Sequence, residues 1–279
     1  MPPIERLKRI ARRPDCEINL AEAALIVASQ AYPEIDIEHY LRRLDELADG
    51  VRGHLPASPN TADRVFTLNR ILFEEEGFYG VEDDYYDPRN SFLNEVLDRR
   101  CGIPITLSIV YLEIGRRIGL PLEGVSFPGH FLVKLPVQGG DIVLDPFSGG
   151  VSLSEAELEQ RREWISSEGS VPSAAPLGAL LRAARNRDIL ARMLRNLKGI
   201  YYQTGALEKA LEVSNWILAI TPDEAAELRD RGLILAQLEC AAAACEDFEH
   251  YLRLAPQAED ADRIRERLID LVGSTGRLH

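Results

Sequence analysis

The chain has 279 residues, 46% hydrophobic and 28% charged, enough to bury one or two ordinary cores, and its length favours two domains. Lys and Arg number 32 against 45 Asp and Glu, a net charge of −13 that opposes a nucleic-acid backbone or an anionic membrane surface as partner. The four cysteines, Cys16, Cys101, Cys240 and Cys245, make no disulfide framework and no CxxC pair for zinc. No apolar run reaches the length of a signal peptide or a membrane span, so a cytoplasmic protein without a cofactor is expected.

Arg6, Lys8, Arg9, Arg12 and Arg13, interleaved with Leu7 and Ile10, read as the solvated face of a short helix. From Glu17 to Ala31 the residues Ile18, Ala21, Leu25 and Ala28 recur at helical spacing, and Pro33 stops the pattern. A second helix is predicted from Asp36 to about His54. A third has Thr61 as its N-cap, Val65, Leu68, Ile71 and Leu72 on one face, and Gly77 at its end. Phe92, Leu93, Val96 and Leu97 mark a short helix that stops at Arg100. The next begins at Pro104, which suits a first helical position because its missing N–H would have gone unpaired. It is apolar on nearly every face and so belongs in the middle of a domain.

Past Gly119 the period falls to two. Phe131, Val133 and Leu135 alternate with His130, Leu132 and Lys134, the turn residues Gln138, Gly139 and Gly140 follow, and Asp141 to Asp145 returns as the second strand of a hairpin. A loop centred on Gln138 and Gly139 sets His130 and Asp145 diagonally across the pair, roughly 7–8 Å apart at Cα. A polar helix is predicted around Ser154 to Trp164. The Ser, Pro and Ala-rich stretch after it reads as a linker, with a domain boundary near 175.

Beyond that boundary the chain repeats. Ala210 and Ala244 are 34 residues apart, as are Pro222 and Pro256, with Gly205, Gly232 and Phe248 at further repeat positions. Residues 191–224 and 225–258 form two tetratricopeptide units, and the amphipathic segment from Ala261 to Val272 caps them.

One order of residues suggests chemistry: Cys101, His130, Asp145. A thiolate nucleophile needs an imidazole to take its proton and a carboxylate to fix the imidazole tautomer. Arg99 and Arg100 before Cys101, and a helix N-terminus after it, favour a thiolate. A buried structural cysteine is the other reading of Cys101, and a hairpin-tightening pair the other reading of His130 and Asp145. Thr106 and Ser108, inside the helix, are weaker substitute nucleophiles. Cys16, Cys240 and Cys245 read as packing residues. The acidic run Glu82, Asp83, Asp84 and Asp87 has no calcium-loop spacing, and His39, His54 and His250 no metal-ligand spacing, so no metal is assigned.

The segment NSFLNEVLDRRCGIPITLSIVYLEIGRRIGLPLEGVSFPGHFLVKL, Asn90 to Leu135, with the DPF at 145 to 147, resembles the SirB-type transglutaminase-like family. The resemblance covers nearly the whole chain. It implies an α+β fold: a papain-like core with a buried helix on an antiparallel sheet, a helical N-terminal region and C-terminal tetratricopeptide repeats. The corresponding domains are 1–80, 81–175 and 176–279. It maps His130 and Asp145 onto the family's histidine and aspartate, whereas alignment through Gly119, Leu120 and Pro121 puts Pro104, three residues beyond Cys101, at the nucleophile position. Two functions follow. One is a degenerate, non-catalytic scaffold whose repeats bind a protein or peptide. The other is an active Cys101-His130-Asp145 thiol amidase, protease or acyltransferase on a protein or peptide amide, with helix-end N–H groups as its oxyanion donors.

Overall fold

A computed structural model describes residues 1–167 and 176–275. The chain divides into two compact units, one of Arg13–Leu190 and the other of Pro2–Arg12 with Ala191–His279. The expected linker and the boundary near 175 fall largely on 168–175, outside the described residues. No described helix is long and apolar enough to cross a membrane.

The first helix, α1 (Pro3–Ala11), belongs to the second unit. In the first unit α2 (Leu20–Ala28) begins three residues later than the periodicity suggested, because Asn19 accepts the Glu22 N–H at 3.0 Å and so caps the helix there. Asp36 caps α3 (Ile37–Gly53) in the same way through the His39 N–H. The cap of α4 (Thr61–Asn69) is Asn60 rather than Thr61: Asn60 Oδ1 accepts from the Asp63 N–H while Asp63 Oδ2 accepts from the Asn60 N–H, a reciprocal capping box. The helix continues as a π-helical segment, Arg70–Glu75, before Gly77 at φ +72° releases the chain.

Next come β1 (Tyr79–Gly80), α5 (Leu93–Arg99) and β2 (Cys101–Gly102), the two short strands pairing in parallel. Arg100 closes α5 in the left-handed conformation at φ 57°, and its guanidinium donates to the Glu76 carbonyl at 2.9 Å. This turn carries Cys101 straight into β2. Helix α6 (Pro104–Arg117) is buried from Pro104 through Gly115, as its all-round apolar sequence predicted, and it packs against α2, α3, α5 and the sheet.

The sheet has four antiparallel strands in sequence order, β3 (Glu123–Val125), β4 (Leu132–Val137), β5 (Gly140–Asp145) and β6 (Val151–Leu153). Val137 pairs with Gly140, so the β4–β5 turn is the two residues Gln138 and Gly139. Opposite faces bury different sets. Leu132 and Val143 join Val125, Phe127, Leu158 and Ile165, the last two from α7 (Glu155–Ser167), with residues of the short α8 (Leu177–Leu180) packed beside them. On the other face Val133, Leu135 and Leu144 are buried.

In the second unit run α9 (Asn186–Gln203, whose first turn lies in the first unit), α10 (Leu207–Ile220), α11 (Ala225–Gln237), α12 (Ala241–Leu254) and α13 (Ala261–Thr275). The predicted period shows in the backbone. Gly205 and Glu239, 34 residues apart, both take left-handed φ, +73° and +60°, between the two helices of their repeats. Ala210 and Ala244 are both fully buried. A Cβ on Gly232 would stand 2.6 Å from the Phe248 ring, so glycine there is what lets α11 and α12 approach. Helix α1 packs on α10 with Leu7 and Ile10 buried, its basic residues remaining exposed or half-buried.

Candidate functional site

Asp145 ends β5 and starts a 3-10 turn, Pro146–Ser148, whose first N–H groups need acceptors. Its Oδ1 accepts from the Phe147 N–H at 3.2 Å, and its Oδ2 from the Ser148 hydroxyl at 3.1 Å. His130 lies outside the strand predicted for it. It closes a tight turn, its N–H donating to the Phe127 carbonyl at 3.2 Å after Gly129 at φ +68°, and β4 starts only at Leu132. The ring nevertheless reaches across, and Nε2 lies 2.9 Å from Asp145 Oδ1. A turn thus does what the hairpin register alone was expected to do.

A guanidinium completes the cluster. Arg161 of α7 donates Nη1 and Nη2 to Asp145 Oδ2 at 3.3 and 3.4 Å. Burial by itself would raise the carboxyl pKa, since Asp145 is fully buried. The His130 hydrogen bond and charge, then Arg161 and Ser148, outweigh it and hold the group below the ordinary carboxylate range. An ionised Asp145 can only accept, so Nε2 carries the proton of this hydrogen bond. Nothing in the local sequence pointed to Arg161, because its role depends on α7 packing back over the sheet.

His130 and Asp145 open on a cavity of about 320 Å³ walled by Phe127, Phe147, Trp164 and Ile165. The His130 and Phe147 rings meet edge to face at 5.8 Å. Cys101 is absent from the described wall. It is buried in β2 and pairs with Tyr79 of β1, and its side chain raises the Tyr79 pKa above the usual tyrosine range. Pro104 occupies the first position of α6 and brings neither a nucleophile nor an N–H. Thr106 is engaged, its hydroxyl 2.8 Å from the Asn90 carbonyl, and Ser108 Oγ is buried without a hydrogen-bond partner. Neither lines the cavity. Of the three residues singled out in the sequence, His130 and Asp145 are joined by a hydrogen bond, and Cys101 is buried in β2.

Cys16 and Cys240 are exposed and Cys245 half-buried, so none is the core residue expected. Cys16 lies in a 3-10 turn and Cys240 at the N-cap of α12, whereas Cys245 lies in the second turn of α12 on a half-buried face. Asp87 caps a 3-10 turn through the Arg89 N–H at 2.9 Å, and among the described residues no group of His, Cys, Asp or Glu is arranged to hold a metal ion. A second support was also missed. Asn69 accepts from the Tyr111 hydroxyl at 2.8 Å and donates to the Gly150 carbonyl at 2.9 Å, fixing the Gly149–Gly150 turn that follows the Asp145 cluster. The paired glycines, both at positive φ, were its one trace in the sequence.

Residues 38–195 match the family described as the transglutaminase-like superfamily. The chain belongs to that family. Residues 197–269 of this transglutaminase-like chain match the tetratricopeptide repeat. A UPF0162 protein of Xylella fastidiosa (strain 9a5c) is 39% identical over 266 residues, 95% of this chain and 94% of the relative. Protein SirB1 of Salmonella typhimurium is 29% identical over 91% of this chain and 94% of its own. Among solved structures, menin aligns over 96% of this transglutaminase-like chain and 74% of its own at 11% identity and a TM-score of 0.41, a likeness that carries no argument about function.

Proposed function

We propose that this transglutaminase-like protein is a non-catalytic scaffold whose tetratricopeptide repeats bind a protein or peptide partner, with neither nucleic acid nor membrane as ligand. The observation that carries this reading is the make-up of the cavity wall. The His130–Asp145 pair faces a cavity whose described wall holds no thiol, Cys101 is buried in β2, and Pro104 heads the buried helix. Proton transfer needs the thiol within reach of the imidazole, and a displacement of even about 1 Å costs a hundredfold in rate. Asp145, with donors from the turn before β4, from the 3-10 turn and from α7, then serves as a structural knot. The charge of −13 and the regular repeat pairing support a protein partner over a polyanion.

The 2.9 Å His130–Asp145 contact favours one second reading, a Cys101-dependent amidase, protease or acyltransferase. Iodoacetamide labelling of the full chain separates the two. On the scaffold reading Cys16 and Cys240 label first, Cys101 last, and His130→Ala leaves the Cys101 rate unchanged. Selective labelling of Cys101 that slows in His130→Ala would establish the thiol enzyme instead.

A further inference from the structure

The two edges of the four-stranded sheet differ. Along β3, the Ala184 N–H donates to the Gly124 carbonyl at 2.8 Å and Val125 bridges Ala183, so a segment of the chain itself lies against that edge. Among the described residues, the backbone of β6 bonds only to β5, and its outer N–H and C=O groups have no protein partner. Edge strands are usually blunted by Lys, Pro or a covering element, but Val151, Ser152 and Leu153 carry none of these.

Beside this edge lies a groove of about 640 Å³. Val65 and Phe66 of α4 form its wall, and Leu135, Val137, Ile142 and Leu144 its floor. No charged residue lines it, although 28% of the chain is charged. Phe66 is 69% exposed, Val151 51% and Ile142 41%, a concentration of large apolar side chains that a solvated surface does not favour. The groove is held open in advance, because the Asn69 bond to the Gly150 carbonyl ties the end of α4 to the start of β6.

We propose that this edge and the adjoining end of the groove receive an extended, uncharged segment of a partner protein, which adds a fifth strand against β6 and lays alternate apolar side chains beside Phe66 and Ser152. The occupant is extended because only a strand can offer backbone groups to the row left open on β6; a helix has spent its own. It is uncharged because an ionised side chain would lose its water against a wall that offers no counter-charge. The surface lies in the transglutaminase-like core and is independent of partner binding by the repeats.

The test pans a random-peptide library on the full-length chain, then measures the recovered peptides by fluorescence anisotropy and by amide hydrogen exchange. Peptides alternating uncharged apolar residues should emerge and slow exchange at an amide within Val151–Leu153. Phe66→Asp and Val151→Lys should each weaken them at least about tenfold. Both positions are exposed, so the melting temperature should stay unchanged and a binding loss cannot be ascribed to unfolding. Methylating alternate peptide amides should weaken binding similarly. The proposal is overturned if no recovered peptide depends on Phe66, if binders are charged or helical, or if amide methylation leaves affinity intact. Self-association of the chain abolished by the same two variants would overturn it too, since the occupant would then be a second copy.

Discussion

His130 Nε2 stands 2.9 Å from Asp145 Oδ1 although the two residues do not lie on paired strands: one closes a turn and the other caps a 3-10 turn. The contact joins these elements around a fully buried carboxylate that also holds Arg161.

Asp145→Ala should therefore destabilise the first unit by about 3 kcal/mol, since several donors lose one acceptor. The native carboxyl pKa is lowered, so the folded state holds fewer protons than the unfolded one near its titration. Its stabilisation is present in full above the unfolded pKa of about 4 and is lost as the pH falls through the native value. Urea unfolding of wild type and Asp145→Asn at a series of pH values should show their difference shrinking below about pH 4. A difference that stays constant down to pH 2 would refute this assignment.

Lys198 and Gly232 hold equivalent places in successive repeats, and so do Ser214 and Phe248. Where the second repeat packs a ring against a glycine, the first builds a polar knot. Lys198 Nζ donates to Glu227 at 2.8 Å and to Asp230 at 2.9 Å, and the Ser214 hydroxyl to Glu227 at 2.5 Å. Glu227 is 2% exposed. Lys198→Met strands that buried carboxylate and should cost about 3–5 kcal/mol, read from chemical denaturation. Glu227→Gln should cost less, because no uncompensated charge remains.

Two glycine substitutions should act in opposite directions. Gly232→Ala places a methyl 2.6 and 2.7 Å from Phe248 ring atoms and should destabilise by about 1–3 kcal/mol. Gly199→Ala, inside α9 with open space around its Cβ, should stabilise by about 0.5–1 kcal/mol. Thermal melts that move the same way for both would contradict the packing described.

The fragment 176–279 should lack a sharp cooperative melt, because it lacks α1 and so uncovers the surface of α10 on which Leu7 and Ile10 are buried. Joining residues 2–12 to it through a flexible linker should restore cooperativity. A sharp melt of the bare fragment would show that α1 is dispensable.

Much of this architecture could be read along the chain because it rests on local periods. Period 3.6 located α2 and α4, period two the β4–β5 hairpin, and a 34-residue recurrence the repeats, since each reports which side chains share one face of one element. The capping of α4 was misplaced by one residue because Asn60 and Thr61 both suit a cap, and only the reciprocal bond with Asp63 decides between them.

What sequence alone determined, then, was the elements and the order of Cys101, His130 and Asp145. Tertiary structure decided that His130 and Asp145 meet, that Arg161 joins them, and that α1 belongs with helices about 200 residues away. These are contacts between segments remote along the chain, fixed by how whole faces pack and by where buried polar groups find partners, and no local spacing encodes them.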